Sequence, residues 1–415
     1  MGVAPDSSAT HRPLQGVRVL YYAYADFGTR LREYKEALTL IDAGATVMFL
    51  GYGREVPAHL VDSPISVHLI ERKESSMLPR TTSPVLGRVS TYLWHKPRRW
   101  WWRVVDRWDD VYRAADAFTP DIVHAVDAVG LWGGNRVARH CDVPLVYDSH
   151  EYWRGFISNP AVAGQGRYNH RVLGVEERTI RRASLVLTTS REMCTALERD
   201  YGPLPCLVLN NSLRLPESLA PTAPHEPLRL VFHGQVGLDR NIRGVIRGLA
   251  LSGGSATLDI YGSIHANVAE AVESTVHDLG LGGRVTIHGP FDYRELPRLL
   301  RDYDVEIYAG REVDGNVHIT LPNKLYDAIV CGLAVVMPPF APMVRVVGET
   351  GAGMILDDVS DETIAAAIAK LEAHPELVAE YKRRAALAAP SLCWETQGAK
   401  LVQAYAELLG RSEAV

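Results

Sequence analysis

A chain of 415 residues is too long for one ordinary hydrophobic core, so two domains are expected. With 47% hydrophobic and 22% charged residues, the composition is that of a soluble globular enzyme and excludes a disordered or fibrous chain. The net charge of -5 argues against a dedicated nucleic-acid binder, which carries a basic excess to neutralise phosphates.

Residues 1–15 have no apolar core of a signal peptide, and Asp6 breaks a myristoylation pattern, so a flexible tail is expected there. No later segment supplies about 18 uninterrupted apolar residues, the least a spanning helix needs. The chain is therefore expected to be soluble or peripheral, in the cytoplasm or associated with a membrane.

From residue 16, short β-rich runs alternate with helical patterns. The strands expected are VRVLYYA (17–23), ATVMFLG (45–51), SVHLIE (66–71), DIVHAV (121–126), PLVYDSH (144–150), SLVLTTS (184–190) and CLVLNN (206–211). Between the first two, REYKEALTLIDAG reads as a helix with Leu38, Leu40 and Ile41 on its apolar face and Gly44 as its stop. Before the fourth comes HKPRRWWWRVVDRW (95–108). Trp101, Val104, Val105, Trp108, Val111 and Tyr112 form one stripe at helical spacing, suited to packing on the sheet. Trp100 and Trp102 fall off that stripe. With Lys96, Arg98, Arg99 and Arg103 they form a basic aromatic rim, whose candidate roles are acceptor docking or peripheral contact with an anionic membrane.

The prolines at 216, 221, 224 and 227 make residues 213–227 a linker. The alternation then restarts with LRLVFHG (228–234), ATLDIYG (256–262), RVTIHG (284–289), VEIYAG (305–310), AVVMP (334–338) and GMILDD (353–358), and a last helix runs over 394–409. The fold class is thus α/β, two tandem doubly wound, Rossmann-like domains facing a cleft where the strands' carboxyl ends meet. The domains are 16–212 and 228–390, with residues 391–415 expected to form a helix crossing back to the first. Cys141, Cys194, Cys206, Cys331 and Cys393 are scattered and odd in number, without the CxxC spacing of zinc or redox sites, and fit reduced thiols.

The stretch richest in chemistry is LPNKLYDAIVCGLAVVMPP (321–339). A helix starting near Lys324 would offer unpaired N–H groups and a partial positive charge to a diphosphate, Lys324 would add a full charge, and Asp327 could accept hydrogen bonds from ribose hydroxyls. Ordinary first-turn capping of a surface helix fits the same residues.

This stretch resembles the donor-site signature of GT-B glycosyltransferases of family 4. VFHGQVGLDRNIRGVIRGL, TLDIYGS, RVTIHGPFDYRELPRLLRDYDVEIYAG and CWETQGAKLVQAYAELL agree with it in order and spacing. DIVHAVDA, PLVYDSHEYW and SLVLTTSREM carry a looser likeness in the first half. The resemblance implies an N-terminal acceptor domain and a C-terminal donor domain. It makes Asp327 the ribose acid, shortened from the usual Glu, Arg240 the basic residue for the diphosphate, and His150 the histidine beside the donor sugar.

Gln235 stands where an arginine often follows Gly234, with Arg243 as a possible substitute. Ile319 replaces the second acid that contacts the sugar, leaving Asn316 and His318 nearby. The backbone of Leu321, Pro322, Asn323 and Lys324 would complete the anion site, and Tyr261, Gly262 and Phe291 would line the donor. Gly28, in the first βα turn, fits a loop approaching the phosphates and equally a plain turn. Asp127 is either an acceptor contact or a solvated carboxylate.

The resemblance implies a retaining transferase that moves a sugar from a UDP-sugar or GDP-sugar to a small-molecule or lipid-linked acceptor. Catalysis would fall to His150, Arg240 and Lys324. No metal is expected, since HEYW at 150–153 lacks a zincin's second histidine. The other readings are a nucleotide-sugar epimerase or phosphorylase on the same fold, and a catalytically degenerate partner protein.

Overall fold

The computed structural model describes residues 12–28, 31–71, 108–157, 166–219, 221–264 and 266–411. Trp100 and Trp102, with the rest of the basic rim, lie outside them. Among the described residues the elements run β1 (Arg18–Tyr22), α1 (Leu31–Asp42), β2 (Thr46–Tyr52), β3 (Ser66–Ile70), α2 (Trp108–Phe118), β4 (Ile122–Val126), α3 (Asp127–Cys141), β5 (Leu145–Asp148), α4 (Gly166–Thr179), β6 (Leu185–Thr188), α5 (Arg191–Tyr201) and β7 (Cys206–Val208). There follow β8 (Arg229–His233), α6 (Ile242–Leu251), β9 (Thr257–Tyr261), α7 (Ala266–Asp278), β10 (Val285–Gly289), β11 (Val305–Ile307), α8 (Asn323–Val330), β12 (Ala334–Met337), α9 (Ala341–Thr350), β13 (Gly353–Ile355), α10 (Asp361–Ala373), α11 (Pro375–Leu392) and α12 (Trp394–Leu408).

One sheet has the order β3-β2-β1-β4-β5-β6-β7, the other β10-β9-β8-β11-β12-β13. The register shows parallel pairing in both, with Val19 beside Ile122 and Val305 beside Leu230. All five residues of β4 and all four of β12 are buried, as expected of strands covered on both faces. These are two Rossmann-like sheets, each reversing its strand order after the first strand. Contacts divide the described chain into two compact units, one drawn from Met1–Ser149, Arg171–Leu187 and Leu401–Val415, the other from His150–His170 and Thr188–Lys400.

In the first unit the expected face of α1 holds only in part, since of Leu38, Leu40 and Ile41 only Leu40 is buried. Arg32, Glu33, Glu36, Ala37 and Leu40 face inward, while Leu38 and Ile41 are only half-buried. Arg32 and Glu36 tolerate burial because they are paired. Arg32 grips the Asp148 carboxylate through Nε and Nη2, both at 3.0 Å, and its Nε also lies 3.0 Å from Glu36. His124 on β4 sits against the same carboxylates, and its Nδ1 meets the Tyr405 hydroxyl at 2.7 Å. Trp108, Val111, Ala114, Ala115 and Phe118 form the buried face of α2, and Arg136 lies 4.4 Å from the centre of the Trp108 ring.

In the second unit the run VEIYAG leaves the ladder after Ile307. The Tyr308 N–H still bonds the Val336 carbonyl at 2.9 Å, so its side chain is held at the strand end without being part of β11.

Candidate functional site

β8 and β11 are sheet neighbours although far apart in sequence, which makes their carboxyl ends the switch point where open α/β sheets bind ligands. Gly234 (φ 102°) and Gly262 (φ 139°) close β8 and β9. A Cβ on Gly262 would stand 1.8 Å from the Gly234 carbonyl oxygen, so the two chain ends approach only because no side chain intervenes.

Lys324, in the first turn of α8, points to this place. Its Nζ would lie 3.9 Å from a Cβ on Gly234, and sits 3.4 Å from the centre of the Phe232 ring and 4.9 Å from that of Tyr308. The side chain is buried, and Nζ has no hydrogen-bond partner among the described residues. Burial, reinforced by the charge of Arg240, outweighs the pull of Glu306, Asp239 and Asp327 and lowers its pKa to about 7. A buried ammonium without an acceptor is the kind of group an anion satisfies.

Arg240 approaches from the turn Leu238–Arg240. Its Nη1 donates to the Tyr308 hydroxyl at 3.0 Å and its Nε pairs with Asp239 at 3.1 Å, while a third of the side chain stays exposed. Two cations thus converge beside Tyr308. The N–H groups of Asn323 and Lys324 add to them, since the first turn of α8 has no acceptor one turn back. Pro322 cannot contribute as the sequence reading supposed, because proline carries no N–H.

Asp327, one turn further along α8, is buried. The Tyr293 hydroxyl bonds both its oxygens, at 3.1 and 3.2 Å, and His233 Nε2 lies 3.6 Å from Oδ2. The other ring nitrogen of His233 lies 2.8 Å from Glu306. Burial alone would strip the proton from this imidazole, but the two carboxylates outweigh it and raise its pKa to about 9. His233 is therefore cationic at neutral pH, bonded to Glu306 and facing the Asp327 carboxylate.

An aromatic wall continues the site. Tyr261 stacks on His288 at 4.1 Å and meets Phe291 edge-on at 6.4 Å, and Phe291 is in turn 6.3 Å from His233. On the other side Asn316 accepts the Tyr152 N–H at 2.8 Å and donates to Glu151, and the backbone of Gly155 packs so closely that a Cβ would lie 2.6 Å from Asn316 N. These bonds pin the loop that carries His150.

The second unit thus gathers Gly234, Arg240, Tyr261, Gly262, Phe291, Lys324 and Asp327, with Asn316 tied to the His150 loop. Leu321 is buried ahead of α8. Arg243 is directed elsewhere, its Nε bonding Thr275 on α7 at 2.9 Å. Gly28 and Asp127 belong to the first unit. The Gly28 N–H closes an Asx turn on Asp26 at 2.9 Å, and Asp127 adopts φ 58° with its carboxylate accepting the Ala128 N–H at 2.7 Å. Sequence reasoning missed His233, Glu306, Tyr308, Tyr293 and Glu151. The first three lie in expected strands, a signal that was available; their pairing with residues up to 94 positions away was not.

The family described as Glycosyltransferase Family 4 matches residues 54–212, and that described as Glycosyl transferases group 1 matches residues 218–388. No curated protein matches the chain. Among solved structures, sucrose-phosphate synthase from Thermosynechococcus elongatus superposes with a TM-score of 0.72 at 14% identity, covering 95% of this chain and 99% of that one. A glycosyltransferase from Rickettsia africae gives 0.69 at 15%, covering 95% and 98%. Anabaena Alr3699/HepE, solved with UDP, gives 0.68 at 16%, covering 95% and 99%. At these identities the likeness is one of fold.

Proposed function

Because the chain belongs to the GT-B glycosyltransferases of the family 4 type, we propose that it transfers a sugar from a nucleoside-diphosphate sugar to an acceptor hydroxyl with retention of configuration. The observation that carries this reading is the buried Lys324 Nζ, which lacks a hydrogen-bond partner and lies beside Gly234 and the start of α8, with Arg240 converging on the same Tyr308. A diphosphate placed there would meet two cations and the N–H groups of Asn323 and Lys324. A neighbour solved with UDP and UDP-glucose favours uridine over guanosine as the donor nucleoside.

In the proposed chemistry the bond from the sugar's anomeric carbon to the diphosphate oxygen breaks as Arg240 and Lys324 take up the developing charge. The acceptor oxygen attacks the same face, and its proton passes to the departing phosphate. Fixed protein charge does the work that a metal ion performs in other diphosphate sites. His150 would lie beside the sugar and Asp327 would accept from the ribose.

The acceptor we propose is a small molecule or lipid-linked hydroxyl in the cytoplasm, with the basic aromatic residues 96–103 as its docking or membrane-contact segment. Sedimentation with anionic vesicles tests that segment, and a chain that stays in the supernatant refutes the membrane role.

The donor is tested by a thermal-shift panel of nucleotide sugars followed by product analysis. A stabilising donor consumed only with acceptor present supports transfer, and donor conversion without acceptor overturns it in favour of epimerisation. Arg240→Ala should lower kcat by about two orders of magnitude, the scale for losing one electrostatic group.

A further inference from the structure

Cys194 and Glu198 lie one turn apart on α5, and Cys206 opens β7 just after the chain reverses at Gly202. The two thiols and the carboxylate converge, with one ligand atom from each within 4.8 Å of the others. Around a single tetrahedral zinc, with bonds of about 2.0–2.3 Å, such atoms stand roughly 3.5–3.8 Å apart, so small side-chain rotations complete the geometry. Both cysteines are unbridged and half-buried, which leaves a fourth position open to water. We propose that Cys194, Glu198 and Cys206 form a site for a thiophilic divalent cation of the zinc class, fastening the end of α5 to β7.

Glu198 distinguishes this cluster from a plain pair of thiols. Burial first, then mutual contact and the Glu198 charge, push the Cys206 thiol well above its usual range, and burial raises Cys194 too. A thiol held protonated in this way is a poor partner in disulfide exchange. A cation reverses the balance, because the carboxylate that repels a thiolate attracts the metal and the metal drives both protons off. Among the described residues the other convergence of ligating groups, Glu36, His124 and Asp148, already holds a cation, the Arg32 guanidinium. The Cys194 cluster has only its own protons to displace. The eleven residues between its thiols hid it from sequence patterns built on CxxC.

The test uses the full chain, reduced and stripped of metal. Titration with Co²⁺ is expected to give sulfur-to-cobalt charge-transfer absorption that saturates at a single equivalent and is displaced by Zn²⁺. Zn²⁺ is expected to shield Cys194 and Cys206 from alkylation, read by mass spectrometry, while Cys141 keeps its reactivity. Cys194→Ser and Cys206→Ser should each abolish the absorption, and Glu198→Gln should weaken binding by about tenfold or more. The proposal is overturned by absence of the band, by a band that survives Cys194→Ser, by equal shielding of Cys141, or by a Cys194–Cys206 disulfide that forms as readily with Zn²⁺ as without. The shielding experiment needs no variant, so a misfolded mutant leaves the question decidable.

Discussion

Lys324 is held where it costs stability. Its ammonium is buried against Phe232 and Tyr308 without an acceptor, and such groups persist where function requires them. Lys324→Met keeps the length and removes the charge. It is expected to leave the melting temperature unchanged or raised while lowering kcat by about two orders of magnitude, measured by calorimetry beside initial rates. A joint fall in both would make Lys324 a structural residue. The lowered pKa, about 7, also predicts proton uptake on nucleotide binding at pH 8, where the free lysine is mostly neutral and a bound diphosphate restores its charge. Calorimetric enthalpies in buffers of different ionisation heat should then diverge, and Lys324→Met should bring them together.

His233 has the opposite sign. Its folded pKa, about 9, lies above that of a free imidazole, so its contribution to stability is complete below about pH 6.5 and fades as pH rises through 9. For Lys324 the unfolded chain binds the extra proton between about pH 7 and 10.5, so that group makes stability rise with pH there. His233→Gln should therefore cost more stability at pH 6 than at pH 10 in urea unfolding, and equal losses at both would contradict the assignment.

At the scale of elements, the meeting of β8 and β9 depends on a missing side chain. Gly262→Ala would drive a Cβ into the Gly234 carbonyl and force a residue with φ 139° out of its preferred region. The expected cost is at least about 2–3 kcal/mol, with loss of donor binding, measured by denaturation and nucleotide titration. In the first unit α1 is anchored by Arg32 between Glu36 and Asp148. Arg32→Ala strands both carboxylates in the interior and should cost about 3–5 kcal/mol, although this helix lies in the other unit from Lys324. A loss under about 1 kcal/mol would mean that water reaches the pair.

At the scale of the whole molecule, residues from Leu401 onward group with the first unit, where Leu401, Tyr405 and Ala406 are buried and Tyr405 meets His124. A chain ended after Lys400 should lose hydrogen-exchange protection in β1, β4 and α1 while β8, β11 and α8 keep theirs. Uniform loss would show that the two units unfold together.

The α/β class, the parallel sheets, the glycines at strand ends and the helix at 323 were legible in the sequence, because period, punctuation and terminal N–H groups are local properties of the chain. Lys324 and Asp327 stood out as candidates from the helix start itself, and Arg240 as a candidate by resemblance. What the sequence could not give was partnership. That α1 turns its charges inward, that His233 is clamped between Glu306 and Asp327, and that Cys194 meets Cys206 all depend on which strand ends lie side by side. Burial then decides the chemistry, since the same lysine or histidine titrates in its ordinary range in water and far from it once neighbours and desolvation are fixed by the fold.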